Sequence, residues 1–180
     1  FNAIRITRTP FREHQADWSP DSQSVVYLSD RFGNNEIFSY SFLEDKESRL
    51  TDDGEQKYFP RYSSDGNWIA YLHGREEIRL IDVRTGDARP FIQNILVTGV
   101  GISGPFAWSP DSRWIVFVSQ DDNYFNNLHV QPLDQTMAKQ ITYLSHIGAH
   151  SPLWSPDGKF IIFDTVQYRT QNQIARVDLN

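Results

Sequence analysis

Several groups in this chain have residue types and spacings that could do chemistry. Serine and aspartate stand two apart in Trp18-Ser19-Pro20-Asp21, Trp108-Ser109-Pro110-Asp111 and Trp154-Ser155-Pro156-Asp157, and again in a weaker copy, Tyr62-Ser63-Ser64-Asp65. A hydroxyl beside a carboxylate reads as a nucleophile with its base. His146 and His150 form an H-x-x-x-H spacing, which on a helix sets two imidazoles on one face for a metal. Asp52-Asp53-Gly54 and Asp121-Asp122-Asn123 offer oxygen ligands. Gly99-Val100-Gly101-Ile102-Ser103-Gly104 spells G-x-G-x-x-G, the letters of a dinucleotide loop.

Context weakens each of these readings. The Ser–Asp pair occurs four times, whereas a catalytic group is needed once, so it reads as structure. Gly148 and the strand-like run after it place the His146/His150 pair on a loop, with no third ligand nearby in sequence and no H-E-x-x-H. The acidic loops lack the twelve-residue calcium pattern and read as turns. The glycine string has no strand–turn–helix around it, and reads as a bulged or covering loop. Asp30 and Arg31 are expected to make a local ion pair or a loop hydrogen bond. No metal and no cofactor are expected.

What must position these groups is a repeat. The leading aromatics fall at 18, 62, 108 and 154, a spacing of 44, 46 and 46 residues. After each turn comes a run of β-branched and aromatic residues: Ser24 to Ser29, Trp68 to His73, Trp114 to Ser119 and Phe160 to Thr165. A second run follows at Glu36 to Phe42, Glu77 to Val83, Asn127 to Pro132 and Gln173 to Leu179, and three units add a short third run. With the approach to each aromatic, a unit holds about four short strands and no long helix. Proline suits the second position of a type I turn, aspartate the third, and the Ser22, Gly66, Ser112 or Gly158 that follows is expected to be left-handed. Tyr62 and Ser64 depart from this pattern.

Four antiparallel strands per unit of about 45 residues make a propeller blade, so the fold class is an all-β propeller with four blades in this chain. The string W-S-P-D-[GS]-x-x-[IV]-x-[FY]-x-[ST], fullest in Trp154 to Thr165, resembles the repeats of TolB-like β-propellers. Ser29 to Phe38 followed by Arg49-Leu50-Thr51 resembles the propeller of tricorn-like proteases. The blades span about 12–51, 58–92, 104–142 and 149–180. Ala3 to Thr7 reads like an outer strand, and two arrangements are open: it completes the last blade and closes a ring, or the four blades belong to a longer parent or pair with a second copy. The motif residues Trp18, Pro20, Asp21, Tyr62, Asp65, Trp108, Pro110, Asp111, Trp154, Pro156 and Asp157 are then blade-building.

The composition fits such a module. The chain has 180 residues, enough to bury a sizeable core, and 14% of them are aromatic. A net charge of −6 argues against a nucleic-acid partner. There is no 18-residue apolar stretch, so no helical membrane span is expected. The absence of cysteine excludes disulfides and thiol catalysis, and is compatible with the periplasm without distinguishing it from the cytoplasm.

Two function classes follow. In the first, the propeller is a non-catalytic module for a peptide or protein. The tricorn resemblance implies substrate access or sorting for a peptidase domain absent from this chain, and the TolB resemblance implies a periplasmic interaction protein. In the second, the channel holds an enzyme site, as the similarity to oligogalacturonate-lyase propellers implies. Arg12, His14, Arg61 and His150 lie on or just before innermost strands and are the candidates for either channel role.

Overall fold

The computed structural model describes residues 3–95, 104–145, 148–167 and 171–179. His146 and most of the Gly99–Gly104 string lie outside them. Four antiparallel sheets follow one another along the chain. The first is β1 (Glu13–Trp18), β2 (Ser24–Phe32), β3 (Asn34–Ser41) and β4 (Lys46–Arg49). The second is β5 (Lys57–Tyr62), β6 (Trp68–His73), β7 (Glu77–Asp82) and β8 (Ala88–Ile92). The third is β9 (Phe106–Trp108), β10 (Trp114–Gln120), β11 (Asn126–Pro132) and β12 (Lys139–Gln140). The fourth is β13 (Ala149–Trp154), β14 (Phe160–Gln167) and β15 (Gln171–Asp178). Neighbours in space are neighbours in sequence, and no helix occurs among the described residues. This is a β-propeller built from blades.

Alternation of side chains across each strand gives every blade two apolar faces, and each face packs on the next blade. Val26, Leu28 and Ile37 of the first blade meet Ile69, Tyr71 and Ile81 of the second. Ala70, Leu72, Ile78 and Leu80 of the second meet Phe106, Trp108, Ile115 and Phe117 of the third. Val116, Val118, Leu128 and Val130 of the third meet Ala149, Ile161 and Phe163 of the fourth. The motif aromatic always faces the preceding blade, so Trp108 is 9% exposed. Trp18, in the first blade of this chain, is 57% exposed and stacks on Phe42 of its own sheet at 5.3 Å.

Of the two arrangements open for residues 3–7, pairing with the last blade is not seen among the described residues. These residues form no strand, Ile4 is 84% and Ile6 42% exposed, and the fourth sheet has three strands. The reason is spatial: the segment leads into β1 of the first blade, and no apolar cluster joins the first blade to the fourth. The alternation Ile4/Ile6 suits a strand, but no sheet edge is brought to it.

Candidate functional site

The four Ser–Asp pairs are consumed by their own turns. Each serine hydroxyl donates to its aspartate: Ser19 to Asp21 at 2.6 Å, Ser63 to Asp65 at 2.6 Å, Ser109 to Asp111 at 2.6 Å and Ser155 to Asp157 at 2.7 Å. Each serine Oγ also accepts the amide of the residue that opens the next strand: Ser24, Trp68, Trp114 and Phe160, at 2.9 to 3.1 Å. The aspartate takes a further amide two residues on, from Gln23, Asn67, Arg113 and Lys159. The serine hydroxyl holds the Asp21, Asp111 and Asp157 carboxyls below the usual carboxylate range. Burial alone would raise Asp65, but Ser63 and Asn67 outweigh it and lower it too. Such a carboxylate is a weak base, and its serine is buried. The fourth residue is left-handed as its type requires: Ser22 and Ser112 at φ 59, Gly66 at φ 75, Gly158 at φ 72. The divergent turn Tyr62-Ser63-Ser64-Asp65 keeps the same bonds as the other three.

The strands that carry the ligand candidates are the innermost ones, since β1 packs beside β5 and β9 beside β13. His14 sits on β1 opposite Leu28, and His150 on β13 opposite Asp164. Both are half-buried and occupy equivalent places, shared in the second blade by Tyr58. Because successive blades repeat one strand direction, these three lie at one level around the axis. Arg12 stands two residues before His14, exposed, with its amide donating to Asp30 Oδ1 at 3.0 Å. Arg61 lies deeper along β5, opposite Ala70, with Nη1 donating to the Pro60 carbonyl at 3.1 Å. Its charge acts on Asp17, whose carboxyl burial pushes up. The structure therefore brings Arg12, His14 and His150 to one end of the inner strands and sets Arg61 at another level. Among the described residues, no group of three His, Cys, Asp or Glu side chains is placed to hold a metal.

Sequence reasoning missed a feature of these strands. Each of β1, β5 and β13 is bulged, between His14 and Asp17, Tyr58 and Arg61, and His150 and Leu153. The left-handed residues are Gln15 (φ 53), Phe59 (φ 52) and Ser151 (φ 49), each three before its motif aromatic. Phenylalanine rarely adopts this conformation, so the surrounding structure must enforce it. One enforcing contact crosses the blade boundary: the Phe59 amide donates to Gln15 Oε1 at 2.7 Å. Two more cross blade boundaries, from the Tyr62 amide on β5 to Asp17 Oδ2 on β1 at 2.9 Å and from Trp108 Nε1 on β9 to the Arg61 carbonyl on β5 at 3.2 Å. A bulged edge resists regular addition of another strand. The signal in the sequence was the lack of alternation at positions 15, 59 and 151.

A polar cluster between the first two blades was also missed. Lys57 is fully buried and Glu36 is 1% exposed, with Nζ 3.2 Å from Glu36 Oε2. Lys57 also donates to the Glu55 carbonyl at 2.7 Å and to Asp53. Glu36 accepts from the Gly54 amide at 2.9 Å and from the Thr51 hydroxyl. The repeat carries half of this arrangement: Asn127 and Thr142 hold the same places in the third blade, 3.0 Å apart. Arg31 forms the expected ion pair, with Glu13 and Glu47 at 2.6 Å each.

Comparison with known proteins places this geometry. No protein-family profile matches the chain. It is 30% identical over 151 residues to the uncharacterized protein Atu1656 of Agrobacterium fabrum, covering 78% of this chain and 50% of that protein. It is 28% identical over 112 residues to the uncharacterized peptidase YuxL of Bacillus subtilis, covering 57% of this chain and 16% of the peptidase. The chain thus spans half of the first relative and a small part of the second. Among solved structures, TolB from Acinetobacter baumannii superposes with a TM-score of 0.76 at 18% identity, over 97% of this chain and 43% of TolB. The tricorn protease superposes with a TM-score of 0.62 at 16% identity, over 86% of this chain and 16% of the protease. These likenesses are of fold: the blades are those of TolB-like and tricorn-like propellers.

Proposed function

We propose that this chain is a non-catalytic propeller module. It binds a peptide or protein at the end of the inner strands that carries Arg12, His14 and His150, with Arg61 contributing deeper in. In a longer parent it governs substrate access or sorting for a tricorn-like serine peptidase. The observation that carries the reading is the use of every motif serine and aspartate inside its own turn. The side chains best suited to acid–base or nucleophilic work are occupied in building the scaffold. Two imidazoles and two guanidiniums remain at the inner strands, a set suited to carboxylates and carbonyls of a peptide. The similarity to a Bacillus peptidase over a small part of its length supports a role beside such a domain.

The test is a calorimetric titration of the purified chain with a panel of capped decapeptides, with mass spectrometry of the same samples for cleavage. Binding without cleavage is expected, at least tenfold weaker in the His14→Ala/His150→Ala double variant. Cleavage of a peptide or an oligogalacturonide that a chelator abolishes would overturn the reading in favour of a channel enzyme.

A further inference from the structure

The three blade boundaries are not equally tight at the end where the motif turns lie. Between the second and third blades, the Asp65 amide donates to Ser112 Oγ at 2.9 Å, so one turn is tied to the next. The Trp108 indole adds its bond to Arg61. The Arg89 guanidinium lies 5.0 Å from the centre of the Trp68 ring and covers it. Between the third and fourth blades all three devices are missing. Gly158 stands where Ser112 stood and has no hydroxyl. Trp154 Nε1 is a buried donor with no acceptor among the described residues. Lys139 holds the place of Arg89 in the register, opposite Val130 as Arg89 is opposite Leu80. It brings no planar group to cover Trp114.

The result is a cleft of about 670 Å³ walled by Trp114, Trp154, Pro110, Pro156, Val130 and Ile141. Its size and its apolar lining suit a small ligand or a single large side chain. The charges that line it are Asp111, Asp157 and Lys139, and Lys159 pairs with Asp157 at 3.5 Å. The lining thus carries two carboxylates and one ammonium, with Asp157 already paired to Lys159, so the cleft favours an uncharged occupant. The two indoles favour an aromatic ring, which stacks on or meets their faces edge-on.

We propose that this cleft is a second peptide subsite, one that takes an uncharged aromatic side chain. It rests on the peptide-binding reading above, and it locates a pocket away from the inner-strand end where His14 and His150 lie.

The probe is N-acetylphenylalaninamide, a neutral ring with amide carbonyls, titrated into the ¹⁵N-labelled chain. The chain has five tryptophans and so five indole N–H signals. That of Trp154 is assigned by its loss in Trp154→Phe. The expected result is a saturable shift of the Trp154 signal with a Kd of ~1 mM, as fits so small a ligand. N-acetylglycinamide should leave the signal unmoved. Trp114→Leu should weaken binding at least fivefold. Gly158→Ser gives the Asp111 amide the acceptor that Asp65 already has. Its Cβ meets nothing within 4 Å, and Ser112 already adopts the same left-handed backbone, so this variant folds and draws the seam shut. A tenfold loss of binding in Gly158→Ser is expected, with decapeptide binding at the inner end retained. An unmoved Trp154 signal, or binding that Gly158→Ser leaves intact, would overturn the cleft alone. Decapeptides that bind nowhere would overturn the peptide reading and the cleft with it.

Discussion

Replacing Lys57 by methionine keeps the side-chain stem and removes an ammonium buried between the first two blades. Glu36, 1% exposed, is left with the Gly54 amide at 2.9 Å, the Thr51 hydroxyl, and the Arg49 guanidinium at 3.6 Å. Breaking a buried ion pair by deleting one partner costs about 3–5 kcal/mol, because the survivor stays charged and desolvated. Glu36 keeps two hydrogen bonds and a distant, partly exposed guanidinium, so the loss should fall at the low end, about 3 kcal/mol. In a domain of this length that lowers Tm by about 6–12 °C. Glu36→Gln in the same background removes the stranded charge and still accepts from Gly54. The double variant should therefore recover about 2 kcal/mol relative to Lys57→Met, and the coupling read from the cycle is that recovery plus the cost of Glu36→Gln alone. Urea denaturation followed by tryptophan fluorescence measures all four proteins. A loss under about 1 kcal/mol for Lys57→Met, or a double variant as unstable as the sum of the two singles, would refute the reasoning.

Other outcomes follow from the same geometry. Trp108→Ala should cost about 3–5 kcal/mol, because the ring fills the boundary between the second and third blades, whereas Trp18→Ala, on the uncovered face, should cost under about 1 kcal/mol; thermal melts of the pair decide it. Burial raises the Asp53 carboxyl, but Lys57, the Glu55 amide and His73 outweigh it and hold it at about 2. Because its folded pKa lies below its unfolded one, its contribution is present above about pH 4 and is lost as pH falls from 4 toward 2. Urea midpoints across that window should fall in the wild type and fall less steeply in Lys57→Met.

The scaffold was legible from the sequence because it is written four times. The aromatic-led turn, its left-handed fourth residue and the alternating runs after it each rest on local chemistry, and a period near 45 repeats the signal. The divergent Tyr62-Ser63-Ser64-Asp65 turn folds like the others, since the Ser63 hydroxyl and Asp65 carboxylate carry the bonds and proline does not. Features that depend on neighbouring blades were hidden. Lys57 reads as a surface cation until a second blade brings Glu36 beside it. The bulge at Phe59 is held by a contact with Gln15, 44 residues away. The cleft turns on differences between repeats, Ser112 against Gly158 and Arg89 against Lys139, which local turn and strand chemistry accept equally. Residues 3–7 illustrate the reverse: their alternation suited a strand, but pairing needs an edge within reach.

On the proposed reading, the recurring Ser–Asp pair builds the scaffold and takes part in no turnover. Ser19, Ser63, Ser109 and Ser155 changed singly to alanine test it directly, with urea denaturation and decapeptide titration on each variant. Each loses a hydrogen bond to its aspartate and one from the next strand's amide, so each should lose about 1–2 kcal/mol of stability. All four should bind peptide as the wild type does. One serine whose loss leaves stability untouched yet abolishes binding or a turnover would contradict the claim.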